Sequence, residues 1–171
     1  MGKIRQKLVE LTVDWRDTGL PPARELLNIG QALLAEKKKR RLVGLWSRPP
    51  SMITATMDDG WGAGLEPVRL YAEIAGVEVV HLGLLLEPEA ILAGCLRRRP
   101  DLLGLTVLHF ETEEIFTRHI MPAVPPDTIA IVGGPIFKSM EAEELAGKPY
   151  RVAADLIDFI DFLLDWPENK S

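Results

Sequence analysis

From Ser51 onward, short apolar runs alternate with amphipathic stretches of helical length, and no other feature of the chain limits its fold so strongly. The runs are Met52–Met57, Val77–Leu82, Leu102–Leu108, Thr128–Val132 and the short Tyr150–Val152. Between them lie Gly64–Gly76, Pro88–Arg98, Thr112–Ala123, ended by the prolines around Pro125, and Lys138–Ala146, with Ala154–Leu164 closing the series. Strands that alternate with helices of about ten residues predict a parallel sheet with right-handed crossovers. A continuous apolar strand such as Ile129–Val132 predicts a sheet covered on both faces. The expected architecture is an open, doubly wound α/β sheet of five parallel strands with helices on both faces. Ligands of such sheets sit at the carboxyl ends of the strands, near the point where strand order reverses.

The residues before Ser51 follow a different pattern. Ile4, Leu8, Leu11 and Trp15 line one face of a predicted helix that Thr18-Gly19 breaks. Leu20-Pro21-Pro22 opens a second helix, with proline in the first turn where no donor is lost, and Leu26, Leu27, Ile29, Ala32, Leu33 and Leu34 form its apolar face. The basic run Lys37–Arg41 suits a solvated helix C-terminus; a docking patch for an acidic partner or phosphate is the other reading. Ser47-Arg48-Pro49-Pro50 reads as a linker, because paired prolines cannot continue a helix. The expected organisation is therefore a helical extension and linker over residues 1–50 and an α/β domain over 51–171.

Composition removes several function classes. The net charge of −5 argues against general nucleic-acid affinity, which needs a net basic face. The single cysteine, Cys95, allows no intrachain disulfide and fits a reducing, cytoplasmic setting; in an apolar helical stretch it reads as a small core residue rather than a nucleophile. One cysteine and three histidines cannot build a structural zinc site of the usual types. Met1–Asp14 lacks the pattern of a signal peptide, and no apolar stretch reaches the roughly 18 residues of a membrane span.

Two glycine-rich turns stand where strands end. Met57-Asp58-Asp59-Gly60-Trp61-Gly62-Ala63-Gly64 follows the first strand, and Val132-Gly133-Gly134-Pro135 ends the fourth. The first matches neither the G-x-G-x-x-G dinucleotide fingerprint nor a P-loop, which disfavours nucleotide binding. Thr106, near the end of the third strand, completes a set of small residues with Gly133 and Gly134 that predicts an open slot at the carboxyl edge.

These motifs, in this order, resemble the cobalamin (vitamin B12)-binding domain shared by methylmalonyl-CoA mutase, methionine synthase and corrinoid methyl carriers, a Rossmann- or flavodoxin-like fold. Asp59-Gly60-Trp61-Gly62-Ala63-Gly64 occupies the frame of the family's Asp-x-His-x-x-Gly, Thr106-Val107-Leu108 that of its Ser-x-Leu, and Gly133-Gly134 that of its Gly-Gly. Gly76–Gly83 is similar to its second strand and Pro100–Leu105 to the approach to its third. The resemblance covers about Met52 to Leu164, and the residues before it are shorter than the helical cap of corrinoid methyl carriers. It implies that Asp59, Gly60, Trp61, Gly64, Thr106, Leu108, Gly133 and Gly134 contact a corrinoid, whose chemistry would need a substrate-bearing or methyltransferase protein partner.

The departure falls at Trp61. In family members that hold cobalamin base-off, a histidine there binds cobalt and the aspartate bonds its other nitrogen. An indole nitrogen is a donor only and has no lone pair for a metal. Three explanations stand: a corrin held without a protein ligand and packed on Trp61; a ligand from another histidine, with His109 better placed than His81 or His119, although its plainer reading is an exposed loop residue; or a cofactor-free interaction or regulatory module. Another flat tetrapyrrole is a weaker possibility. Glu111, two residues after His109, could approach a ligand at the sheet edge; Glu113 and Glu114 read as acidic residues in the first turn of a helix rather than as catalysts, and Trp46 and Trp166 as packing residues. The expectation is a cofactor carrier or accessory subunit that catalyses nothing alone, with no nucleic-acid or membrane partner and its oligomeric state open.

Overall fold

The computed structural model describes residues 2–167; Met1 and residues 168–171, which the expected N-terminal and α/β segments include, lie outside the described residues. The chain divides into two units. One comprises Met1–Pro50, Glu66–Glu78 and Leu156–Ser171, the other Ser51–Leu65 and Val79–Asp155.

The first unit is helical. It contains α1 (Lys3–Thr18), α2 (Ala23–Lys39), nearly all of α3 (Leu65–Ala75) and α7 (Leu156–Asp165). The buried side of α1 is Ile4, Leu8, Thr12 and Trp15, so Thr12 takes the place expected of Leu11. Arg5 donates to the Leu164 carbonyl at 2.8 Å, and Arg16 pairs with Asp161, which fastens α1 to α7. Gly30 of α2 admits the Leu70 and Tyr71 side chains of α3, and the buried Tyr71 hydroxyl donates to the Leu26 carbonyl at 2.9 Å. Burial pushes that hydroxyl up to about 12. Trp15 meets Tyr71 edge-on with centroids 5.7 Å apart, and Trp46 meets Trp166 in the same way at 5.6 Å, an arrangement favoured by the ring quadrupoles.

The second unit carries a five-stranded parallel sheet in the order β2-β1-β3-β4-β5. Its strands are β1 (Ser51–Thr56), β2 (Glu78–Gly83), β3 (Leu102–Thr106), β4 (Ile129–Gly133) and β5 (Arg151–Val152). This is the flavodoxin-like order, in which the chain steps outward from β1 to β2 and then returns to the other side at β3. The switch point therefore lies between β1 and β3, where Thr56 pairs with Thr106 and Thr106 with Gly133. β1 and β3 are buried along both faces apart from the half-buried Ser51. One face, including Ile53, Ala55, Leu103, Leu105, Ala130 and Val132, forms a single core with Ile91 and Cys95 of α4 (Pro88–Arg98) and with Phe116, Ile120 and Phe137.

Three expected boundaries move, each for a local reason. The helix expected over Thr112–Ala123 is instead α5 (Phe110–Ile115), a π turn over Phe116–Ile120 and a 3-10 turn over Met121–Ala123. Pro122 cannot donate to the preceding turn and crowds its carbonyl, so regular winding fails before it. The helix expected over Lys138–Ala146 is a 3-10 turn, Pro135–Ser139, followed by the short α6 (Ala142–Ala146), because Met140 and Glu141 are extended. β3 ends at Thr106 rather than Leu108: the Val107 N–H still donates to the Gly133 carbonyl of β4, but the Leu108 and His109 N–H groups turn to a side chain.

Candidate functional site

That side chain is Asp58, two residues beyond β1. Its carboxylate accepts the Leu108 N–H at 3.0 and 3.1 Å and the His109 N–H at 2.9 Å, and lies 3.2 Å from His109 Nδ1. The Asp58 side chain is 11 % exposed and that of His109 69 %. Asp58 thus ties the β1 loop to the β3 loop across the switch point. It was missed in the sequence, where its neighbour Asp59 takes the motif position. The doubled aspartate was the available signal.

Asp59 does a different task. It is buried, and its Oδ1 accepts the Trp61 N–H at 2.8 Å and the Gly62 N–H at 3.1 Å, closing a side-chain turn on its own loop. Thr56 Oγ1 donates to the Asp59 carbonyl and accepts the Leu85 N–H at 3.1 Å, while the Thr56 carbonyl accepts the Leu86 N–H at 2.8 Å. The loops after β1 and β2 are therefore stitched together through Thr56. A Cβ on Gly60 would lie 3.3 Å from Leu85, which places Leu85 beside the Trp61 loop.

Trp61 itself projects outward and is 91 % exposed. Leu85 on the next loop and Phe110 at the start of α5 are exposed as well, at 60 % and 56 %. These apolar side chains come from the loops that follow three successive strands. An indole left in water forgoes the stabilisation of about 2 kcal/mol that burial of a large apolar side chain supplies.

Thr106 is buried, and its Oγ1 has no hydrogen-bond partner among the described residues. An unsatisfied buried hydroxyl costs about 1–3 kcal/mol. A Cβ on Gly64 would come into ordinary contact with the Thr106 methyl, at 3.9 Å.

The paired glycines have a reason inside the protein. Gly134 has φ +138°, and a Cβ there would overlap the Val107 carbonyl oxygen. A Cβ on Gly133 would come within 2.9 Å of the Ala153 carbonyl. Their smallness thus serves backbone packing between β4 and its neighbours. Leu108 is half-buried, with its N–H held by Asp58.

The other candidates separate clearly. His81 Nδ1 is 3.0 Å from Thr54 Oγ1 within the sheet, and His119 is exposed on the π turn. Glu113, read in the sequence as an ordinary helix-start acid, is buried; Tyr150, Thr117 and Lys148 bond its Oε1, with Lys148 Nζ at 3.0 Å. Burial raises the Glu113 carboxyl, but these donors outweigh it and hold the group below its ordinary value. Cys95 is buried, and desolvation pushes its thiol up to about 11. Among the described residues no cluster of three or more histidine, cysteine or acidic side chains could hold a metal ion, and no helix is long and apolar enough to cross a membrane.

No family model and no curated protein matches the sequence. Solved structures do match. A novel cobalamin-binding protein from Desulfitobacterium hafniense DCB-2 aligns over 95 % of this chain and 79 % of its own, with a TM-score of 0.74 and 20 % identity. The chain shares its fold. The monomethylamine corrinoid protein of Methanosarcina barkeri aligns over 96 % of both chains, with a TM-score of 0.56 and 14 % identity. In this fold, the loop that carries Asp59 and Trp61 and the strand ends Thr106 and Gly133 all lie at the carboxyl edge of one sheet, so the motifs read in the sequence come from neighbouring strand ends.

Proposed function

We propose that this protein binds cobalamin or a related corrinoid at the carboxyl edge of its sheet and serves as a cofactor carrier or subunit of a methyltransferase or mutase system. The observation that carries the reading is Thr106 Oγ1 at the end of β3, a buried hydroxyl without a hydrogen-bond partner among the described residues. A polar group of an inserted cofactor tail would satisfy it and remove the cost of leaving it unpaired. Asp59, Gly60, Trp61, Gly64, Thr106, Leu108, Gly133 and Gly134 are the proposed contacts, held on the segment 51–171, with residues 1–50 as a helical extension. Trp61 supports the reading as an exposed aromatic surface available to a corrin face, and it offers cobalt no lone pair. The organometallic chemistry would belong to the cofactor; the protein would hold and orient it for a partner that carries the substrate.

Titration of the purified protein with hydroxocobalamin and methylcobalamin, followed by visible spectra and a binding isotherm, tests this. Saturable binding is expected. No binding at about millimolar cofactor, the weak end of ordinary affinities, would overturn it. Competition by haem at the same site would point to a broader tetrapyrrole specificity. The alternative is a cofactor-free interaction module, favoured by the exposure of Trp61, Leu85 and Phe110; it predicts no corrinoid binding and a stable protein partner.

A further inference from the structure

The corrinoid reading leaves the metal without a protein ligand at residue 61. The Asp58–His109 pair offers one from the next strand. An ionised carboxylate only accepts hydrogen bonds, so the ring nitrogen facing it, Nδ1, carries the proton. In the neutral ring the lone pair then resides on Nε2. Nε2 makes no hydrogen bond to a described residue, and the side chain is 69 % exposed. The same carboxylate also accepts the backbone N–H of His109 and that of the preceding Leu108, so ring and main chain are anchored together. An imidazole whose outer nitrogen is free while a carboxylate fixes its inner N–H is the arrangement that metal-bound histidines adopt. Asp58 lies three positions before Trp61 on one loop, and it tethers His109 to the sheet edge where the cofactor would sit. His81 differs, since its Nδ1 faces Thr54 Oγ1 inside the sheet.

We infer that His109 would ligate the cobalt of a bound corrinoid through Nε2, with Asp58 as its positioning residue. A histidine after the third strand then takes the role that tryptophan at residue 61 cannot. The inference rests on the corrinoid reading above. Binding exchanges one neutral donor on the metal for another, so no electron or proton is transferred.

The test is the electron paramagnetic resonance spectrum of the protein loaded with cob(II)alamin, prepared once with ordinary histidine and once with uniformly 15N-labelled histidine. Protein ligation predicts that each cobalt line splits into a triplet in the first sample and a doublet in the second. In His109→Ala the histidine splitting should be lost, and in His81→Ala it should persist. Asp58→Asn should weaken cofactor binding about 10- to 100-fold, as loss of a ligand's orienting partner commonly does. A triplet that survives labelling would assign the ligand to the cofactor's own base and overturn the inference, as would absence of nitrogen splitting, or a doublet that survives His109→Ala. If unlabelled wild-type protein fails to bind in the titration, the corrinoid reading falls and this assignment falls with it. Binding without the isotope effect removes this assignment alone.

Discussion

The carbonyl oxygen of Val107 occupies the place where a side chain on Gly134 would begin. At φ +138° residue 134 is also in backbone space that L-residues rarely enter. Gly134→Ala is therefore expected to lose about 3 kcal/mol or more, or to prevent folding, because neither a rotamer change nor a side-chain shift relieves a clash with backbone. Gly133→Ala, whose Cβ would lie 2.9 Å from the Ala153 carbonyl, should cost less, about 1–2 kcal/mol. Urea denaturation of the two variants ranks them, and a Gly134→Ala protein as stable as wild type would contradict the packing described.

Trp61 and Asp59 share a loop but should respond in opposite ways. Trp61→Ala removes an exposed side chain and should change stability by no more than about 0.5 kcal/mol. Under the corrinoid reading the same variant should weaken cofactor binding. Asp59→Ala leaves the N–H groups of Trp61 and Gly62 without their acceptor and should cost about 1–2 kcal/mol. Thermal melts and cobalamin titrations of both proteins separate surface from scaffold.

Glu113 gives the fold an acid-sensitive joint. Its carboxyl is held below the ordinary value of 4.5, against burial, by donors from Tyr150, Thr117 and Lys148. A carboxyl lowered on folding stabilises fully above its unfolded value, and the contribution fades as pH falls through the folded value. Glu113→Gln should thus cost about 2 kcal/mol at neutral pH, where Lys148 loses its counter-charge. The gap from wild type should shrink progressively below about pH 4.5. A gap of constant size from neutral to acid pH would show that the charge of Glu113 is not what matters.

Cys95 is buried in the core formed by α4 and one face of the sheet, and its thiol is pushed up to about 11. Native protein at pH 8 should leave a chromogenic disulfide reagent unreacted, and urea-unfolded protein should react with one equivalent. Rapid labelling of native protein would mean that α4 opens readily.

Much of the fold was legible before any coordinates, because it depends on local periodicity. The runs around Ile53, Val79, Leu103 and Ile131 announced strands, and the helical stretches between them required parallel crossovers. The breaks at Pro122 and Met140 were less legible: a proline interrupts winding, but whether the turn before it becomes α, π or 3-10 depends on how Phe116 and Ile120 seat in the core. The candidate site divides in the same way. Thr106 and the glycines could be placed at strand ends from spacing, yet the reason for Gly134 is the Val107 carbonyl, 27 positions away in the chain.

The sequence by itself determined the alternation of strands and helices, the two glycine turns, and the chemical fact that residue 61 is an indole with no lone pair for a metal. Only the tertiary structure decided that Asp58 meets His109, that Glu113 gathers Tyr150 and Lys148, and that Thr106 Oγ1 has no hydrogen-bond partner among the described residues. The physical reason is range. Periodicity and turn chemistry act over a few residues, whereas these polar groups lie 35 to 51 positions from their partners, or find none, and burial sets the cost of pairing or leaving them.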